Sequence, residues 1–167
     1  MATVHVVLKG VGASWVKPCQ QAVKDLNALF TRNGINVSLS TSGSGGATIT
    51  VQNDASIQGN AVHGRTSASV NSAGQMLTAD VRLPVKVTIS TPRGIREAGA
   101  GVLEVIAGHE FVHALGHTPH NSELMSQTMY KEAGDNAAGD KLKAGSAKLP
   151  PLTLSDDSVG ILKGIWS

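Results

Sequence analysis

The segment of this chain best equipped for chemistry is His109-Glu110-Phe111-Val112-His113, two histidines four residues apart with a glutamate beside the first. Residues four apart share one face of a helix. The two imidazoles can therefore direct nitrogens at a single metal ion while Glu110 stands next to it as a base. The stretch 109–120 continues through Gly116 to His117 and His120, and holds four of the six histidines in the chain. At this chain's own His and Glu frequencies the five-residue pattern would arise by chance in roughly six such chains per thousand, so its surroundings have to support it. The bland alternative is a buried helix whose histidines satisfy one another. It would leave several polar rings imperfectly paired in an apolar segment.

A catalytic zinc takes three protein ligands and leaves one position open for water. His109 and His113 supply two. If the helix ran on, His117 would lie about 12 Å along its axis from His109, too far for three rings to close comfortably on one ion. If the helix breaks at Gly116, a residue type that readily turns the chain off a helix, Thr118 and Pro119 can bring His120 back to the site. His120 is thus the expected third ligand, with His117 as the alternative. Glu110 can take a proton from a water at the open position and pass it to a leaving amine, which is metal-assisted hydrolysis of an amide.

A chain of 167 residues, 41% of them hydrophobic, can bury one sizeable core, so a single domain is expected. Net charge is only +2, the 14 basic residues are scattered, and two Trp, one Tyr and two Phe are the only aromatics. Neither an electrostatic footprint nor a stacking platform for nucleic acid is present. Cys19 is the sole cysteine, which excludes an internal disulfide and fits a buried, inert thiol. No apolar run is long enough for a membrane span, and the first residues lack a basic segment followed by a long apolar one. A soluble chain without a visible secretion signal is the expectation.

Elements must hold the histidines in place, and their periodicities predict a sheet with helices packed on it. Residues 3–9 alternate like a strand. A helix follows, with Ser14 as its expected N-cap, Pro18 in its first turn, and Cys19, Ala22, Val23, Leu26, Leu29 and Phe30 at helical spacing up to Asn33-Gly34. Two strands are expected over 35–40 and 47–52, then loop over 54–60 and a mixture of turns over 63–78. Strands are expected again over 79–83 and 85–90, where Pro84 indicates an edge to which an extended peptide could add. The motif helix is expected over 95–115, apolar on most sides and therefore central and buried. Residues 131–151, rich in Gly, Ala and Lys, read as a loop. Ser155 caps a last helix, with Asp156 and Asp157 in its first turn and Leu154 placed to staple onto Val159.

His109 through Gly116, read as H-E-x-x-H-x-x-G and followed by a third histidine, resembles the metzincin zinc metallopeptidases, and the matrixin version especially. Ser122-Glu123-Leu124-Met125-Ser126 resembles the Met-turn of that family and is close to the same stretch in snapalysin-type peptidases. Met129-Tyr130 is similar to the wall of the matrixin specificity pocket, and Leu154 through Ile161 to the start of the matrixin C-terminal helix. Residues 79–83 weakly resemble the strand ahead of the active-site helix. The chain also departs from the pattern. The family's third ligand is the tenth residue after the first histidine, which here is Pro119, and His120 comes one residue late.

The resemblance implies a Zn2+-dependent endopeptidase in which His109, His113 and His120 (or His117) bind zinc, Glu110 is catalytic, Met125 lies beneath the metal, and Tyr130 lines a substrate pocket. It further implies that Asp156 or Asp157 braces the Met-turn, and it favours secretion. Cys19 does not sit in the setting of a matrixin inhibitory pro-segment, and His5 and His63 are isolated, which gives no support for a second, structural zinc. The expected fold is α+β: a mixed, mostly parallel sheet with an antiparallel edge strand, two long helices packed on it, and a small C-terminal subdomain (117–167) ending in a helix. The expected partners are peptide or protein substrates, and the chain is expected to act as a monomer. Two alternatives differ in class: a degenerate, non-catalytic metal-bound binding module, and a zinc hydrolase of a non-peptide amide.

Overall fold

Alternating β-branched residues make strand β1 (Ala2–Leu8), and its buried side chains Val4 and Val6 fix which face looks inward. The computed structural model describes residues 1–58, 64–91, 94–125 and 152–167. In it β1 lies parallel between β2 (Val37–Ser40) and β3 (Ala47–Asp54). Beyond β3 comes β5 (Met76–Pro84), also parallel, and β4 (Arg65–Val70) runs antiparallel along its outer side. The order is β2-β1-β3-β5-β4. The architecture is α+β, a mostly parallel sheet with one antiparallel edge strand, as the sequence predicts.

One face of this sheet is covered. Val37, Leu39, Val4, Val6, Ile49, Val51, Ala79, Val81 and Leu83 point into a single core, whereas alternate residues such as Thr48, Thr50, Asp80 and Arg82 are left partly exposed. Helix α1 (Ala13–Asn33) lays Trp15, Cys19, Ala22, Val23, Leu26, Leu29 and Phe30 against that core. Its Trp15 indole N–H donates to the Pro84 carbonyl at 2.9 Å, pinning the helix to the end of β5. The helix starts two residues earlier than Ser14 capping would give: Gly12 is the N-cap, and Pro18 falls in the second turn. Gly34, at φ 65°, ends it as expected. Cys19 is buried, and burial pushes its thiol up to about 12.

Two expectations fail between β3 and the motif helix. The edge strand is β4, in the region expected to be turns, and not residues 85–90. Its residues Arg65-Thr66-Ser67-Ala68-Ser69-Val70 carry almost no hydrophobic alternation, because an edge strand over a short stretch of core buries little. Residues 85–90 instead lead into β6 (Thr88–Thr91), which pairs with β7 (Gly94–Glu97) in a separate two-stranded ribbon. The motif helix, α2 (Ala100–Ala114), therefore begins five residues later than predicted, after Gly99. Nearly all of α2 is buried, since it lies between the sheet and a C-terminal layer formed by Leu124, Leu152 and helix α3 (Asp156–Ile165).

The C-terminal layer is tied down at both ends. Ser155 caps α3, accepting from the Ser158 N–H, and Asp156 and Asp157 occupy its first turn. At the other end the buried Trp166 donates its indole N–H to the Leu115 carbonyl, one of the orphan acceptors at the end of α2. Among the described residues no helix is long and apolar enough to cross a membrane.

Candidate metal centre

The helix that carries the motif stops where the geometry of the site needs it to. Gly116 takes a left-handed φ of 110°, its N–H bonds the His113 carbonyl at 3.0 Å, and the His117 N–H bonds the Val112 carbonyl at 3.3 Å. This pair of bonds reverses the chain and closes the helix end. A side chain at Gly116 would also meet Ile165, at 2.8 Å from an added Cβ. The reversal brings the following segment back over the face from which His109 and His113 project.

Three imidazoles meet there. The Nε2 atoms of His109 and His113 are 3.0 Å apart, those of His113 and His120 3.1 Å, and those of His109 and His120 3.3 Å. The other nitrogens of the two helix histidines are spoken for. His109 Nδ1 donates to the Leu124 carbonyl at 2.7 Å and His113 Nδ1 to the His117 carbonyl at 2.6 Å. A carbonyl only accepts, so each Nδ1 carries the proton and each Nε2 presents a lone pair to the common point. Burial further disfavours the charged form of His113. Converging lone pairs repel unless a cation lies between them, and the three residues form a cluster able to hold a metal ion.

His120, not His117, completes the cluster. His117 gives the centre its backbone carbonyl, and its ring turns away into the protein, fully buried, with Nε2 3.4 Å from Asn121 Nδ2. Burial also holds its pKa below the ordinary histidine value. The three histidines differ in setting: His109 is buried, His113 half-buried and His120 exposed. The centre thus opens to solvent on the His120 side.

Glu110 is 3% exposed, and burial pushes its carboxyl up to about 7, against the opposing effect of a hydrogen bond from Thr66. That bond runs from Thr66 Oγ1 on β4 to Oε2 at 2.5 Å. Gly64, just ahead of β4, comes so close that an added Cβ would stand 3.1 Å from Glu110 Cγ and 2.7 Å from the Arg82 carbonyl. Neither contact has a signature in the sequence. Thr66 and Glu110 are 44 positions apart, and threonine in a weakly patterned stretch carries no mark of its partner.

Residues 121–125 form a tight turn, closed by bonds from the Met125 N–H to the Ser122 carbonyl and from the Asn121 N–H to the Met125 carbonyl. Met125 is fully buried in it, next to the Leu124 carbonyl that holds His109. Glu123 takes a left-handed φ of 56° and bridges Leu154. Asp156 and Asp157 are exposed and bond nothing in the turn among the described residues, whereas the buried Ser158 exchanges hydrogen bonds with Asn121 at 3.1 and 3.3 Å. Among the described residues a hydroxyl and a carboxamide join α3 to the residue that opens this turn. Tyr130 and Met129, together with residues 131–151 and His63, lie outside the described residues.

No family model matches this chain, and no curated protein matches it significantly.

Proposed function

We propose that this protein is a zinc-dependent endopeptidase of matrixin-like form, with His109, His113 and His120 as zinc ligands and Glu110 as its general base. The observation that carries this reading is the convergence of three Nε2 atoms within 3.0 to 3.3 Å of one another, with Glu110 adjacent in the chain. Nitrogens about 2.0–2.1 Å from a tetrahedral zinc stand about 3.3–3.4 Å apart, so this all-imidazole set suits zinc and leaves its fourth position open. Zinc bound there supplies a Lewis acid that polarises a scissile carbonyl and makes water acidic enough to deprotonate near neutral pH.

The remaining work belongs to the chain. Glu110, whose carboxyl is raised to about 7 by burial, takes the proton of the attacking water and returns it to the leaving nitrogen. The outer side of β4 carries no partner strand among the described residues, and β4 touches Glu110 through Thr66, so an extended peptide adding to that edge lies beside the base. In this reading Met125 forms the floor of the site and Tyr130 lines a substrate pocket.

The test is zinc content and cleavage of an unstructured protein by the wild type and by Glu110→Ala. About one zinc per chain in both, with cleavage lowered by about 10²-fold or more in the variant, is the expected result. Robust cleavage by Glu110→Ala contradicts the role given to Glu110, and zinc binding without any peptide cleavage by the wild type contradicts the peptidase.

A further inference from the structure

The base of a hydrolytic site needs a fixed direction as well as a fitting proton affinity, because misplacement by an ångström costs orders of magnitude in rate. Helix α2 fixes the Cα of Glu110, but its side chain has three rotatable bonds. Two contacts from outside the helix restrict them. The Thr66 hydroxyl donates to Oε2 at 2.5 Å, and the backbone of Gly64 lies against Cγ and Cδ, with no room for a side chain between them. Both residues belong to the run entering β4, and Thr66 is locked in the ladder opposite Val81 of β5. Threonine is β-branched and stiff at χ1, so its hydroxyl is a rigid pointer. With Oε2 engaged by Thr66, Oε1 is the carboxyl oxygen left for the attacking water in the peptidase reading.

We propose that Thr66 is a positioning residue for Glu110: its hydroxyl, backed by the close approach of Gly64, orients the carboxyl and ties the base to the strand along which substrate adds. The proposal deepens the peptidase reading and rests on it for its kinetic consequence, though the orientation of Glu110 can be observed without catalysis. Since β4 is an edge strand, a peptide pairing with it is placed relative to the base by the same strand that holds the base. Loss of the hydroxyl should then lower turnover and leave substrate binding alone.

The experiment compares zinc-loaded wild type, Thr66→Val and Thr66→Ser. Valine keeps shape and branching but cannot donate; serine restores the donor. Expected are a fall of about tenfold or more in kcat for Thr66→Val with KM and zinc per chain unchanged, and recovery of most of that loss in Thr66→Ser. Crystal structures of the three proteins give a readout independent of activity: a single Glu110 rotamer in wild type and Thr66→Ser, and a displaced or split carboxyl in Thr66→Val. An unmoved Glu110 carboxyl in Thr66→Val overturns the proposal, as does an unchanged kcat, or a loss that serine fails to recover. A carboxyl that moves as expected in a protein whose wild type cleaves no peptide upholds the positioning role and counts against the peptidase reading alone.

Discussion

The two halves of the candidate metal centre are built in opposite ways. His109 and His113 stand on a helix buried on almost every side, where packing alone fixes their backbone. His120 stands on an exposed turn seven residues further on. Yet the exposed half governs the buried one, because the carbonyls that orient the two helix rings belong to His117 and Leu124, on either side of His120. The segment after the helix thus supplies the third histidine and also both acceptors that set which nitrogen of the other two faces the common point. Such outer partners are commonly worth 10- to 100-fold in metal affinity. The lesson is that the site depends on how the chain folds back after Gly116, and so on the C-terminal layer that holds it there.

The exposed half is held in place from α3. Asn121 joins that segment to α3 through Ser158 and reaches the ring of His117. Asn121→Ala should weaken zinc binding about tenfold, read by competition with a chelator, although Asn121 touches no ligand ring of the centre. An unaltered affinity would mean that the turn holds its shape without α3.

From the helix side the expected effect is smaller and depends on pH. Glu104 of α2 faces Asp25 of α1, and partial burial, together with a hydrogen bond to the Asp25 carboxyl and its charge, pushes the Glu104 carboxyl up to about 8. The folded protein therefore keeps a proton that the unfolded chain loses near 4.5. The stability contributed by this pair is full below about 4.5 and is lost as pH rises through about 8. Glu104→Gln should flatten that fall and raise stability at pH 9 by about 1 kcal/mol, allowing for solvent screening at a partly exposed site. Parallel denaturation midpoints of wild type and variant at pH 5 and pH 9 check it, and equal pH dependence would contradict it. The smallest effect belongs to Glu123, whose φ of 56° strains a residue with a Cβ. Glu123→Gly should leave urea stability unchanged or raise it by about 0.5 kcal/mol, whereas glycine at an ordinary loop position lowers it.

Legibility followed burial. Helix α2 announces itself through an apolar run flanked by glycines, and α1 through its single apolar stripe. The parallel strands do so through alternating valine, isoleucine and leucine. Strand β4 does not, since Ser67, Ser69 and Arg65 face outward and Thr66 on its inner side meets a carboxylate instead of a hydrocarbon core. The sequence places the start of the motif helix at Ile95, but that side chain is 76% exposed and residues 94–97 pair with β6. His120 was legible through the glycine that stops the helix. The hydrogen bonds of Asn121, Ser158 and Thr66 were not, since they join positions 37 and 44 residues apart and leave no periodic trace.

The most direct measurement is a zinc titration of wild type, His120→Ala and His117→Ala by calorimetry. One tight site in wild type, its loss in His120→Ala and its retention in His117→Ala is the predicted result. Tight binding that survives in His120→Ala and disappears in His117→Ala would contradict the centre described above.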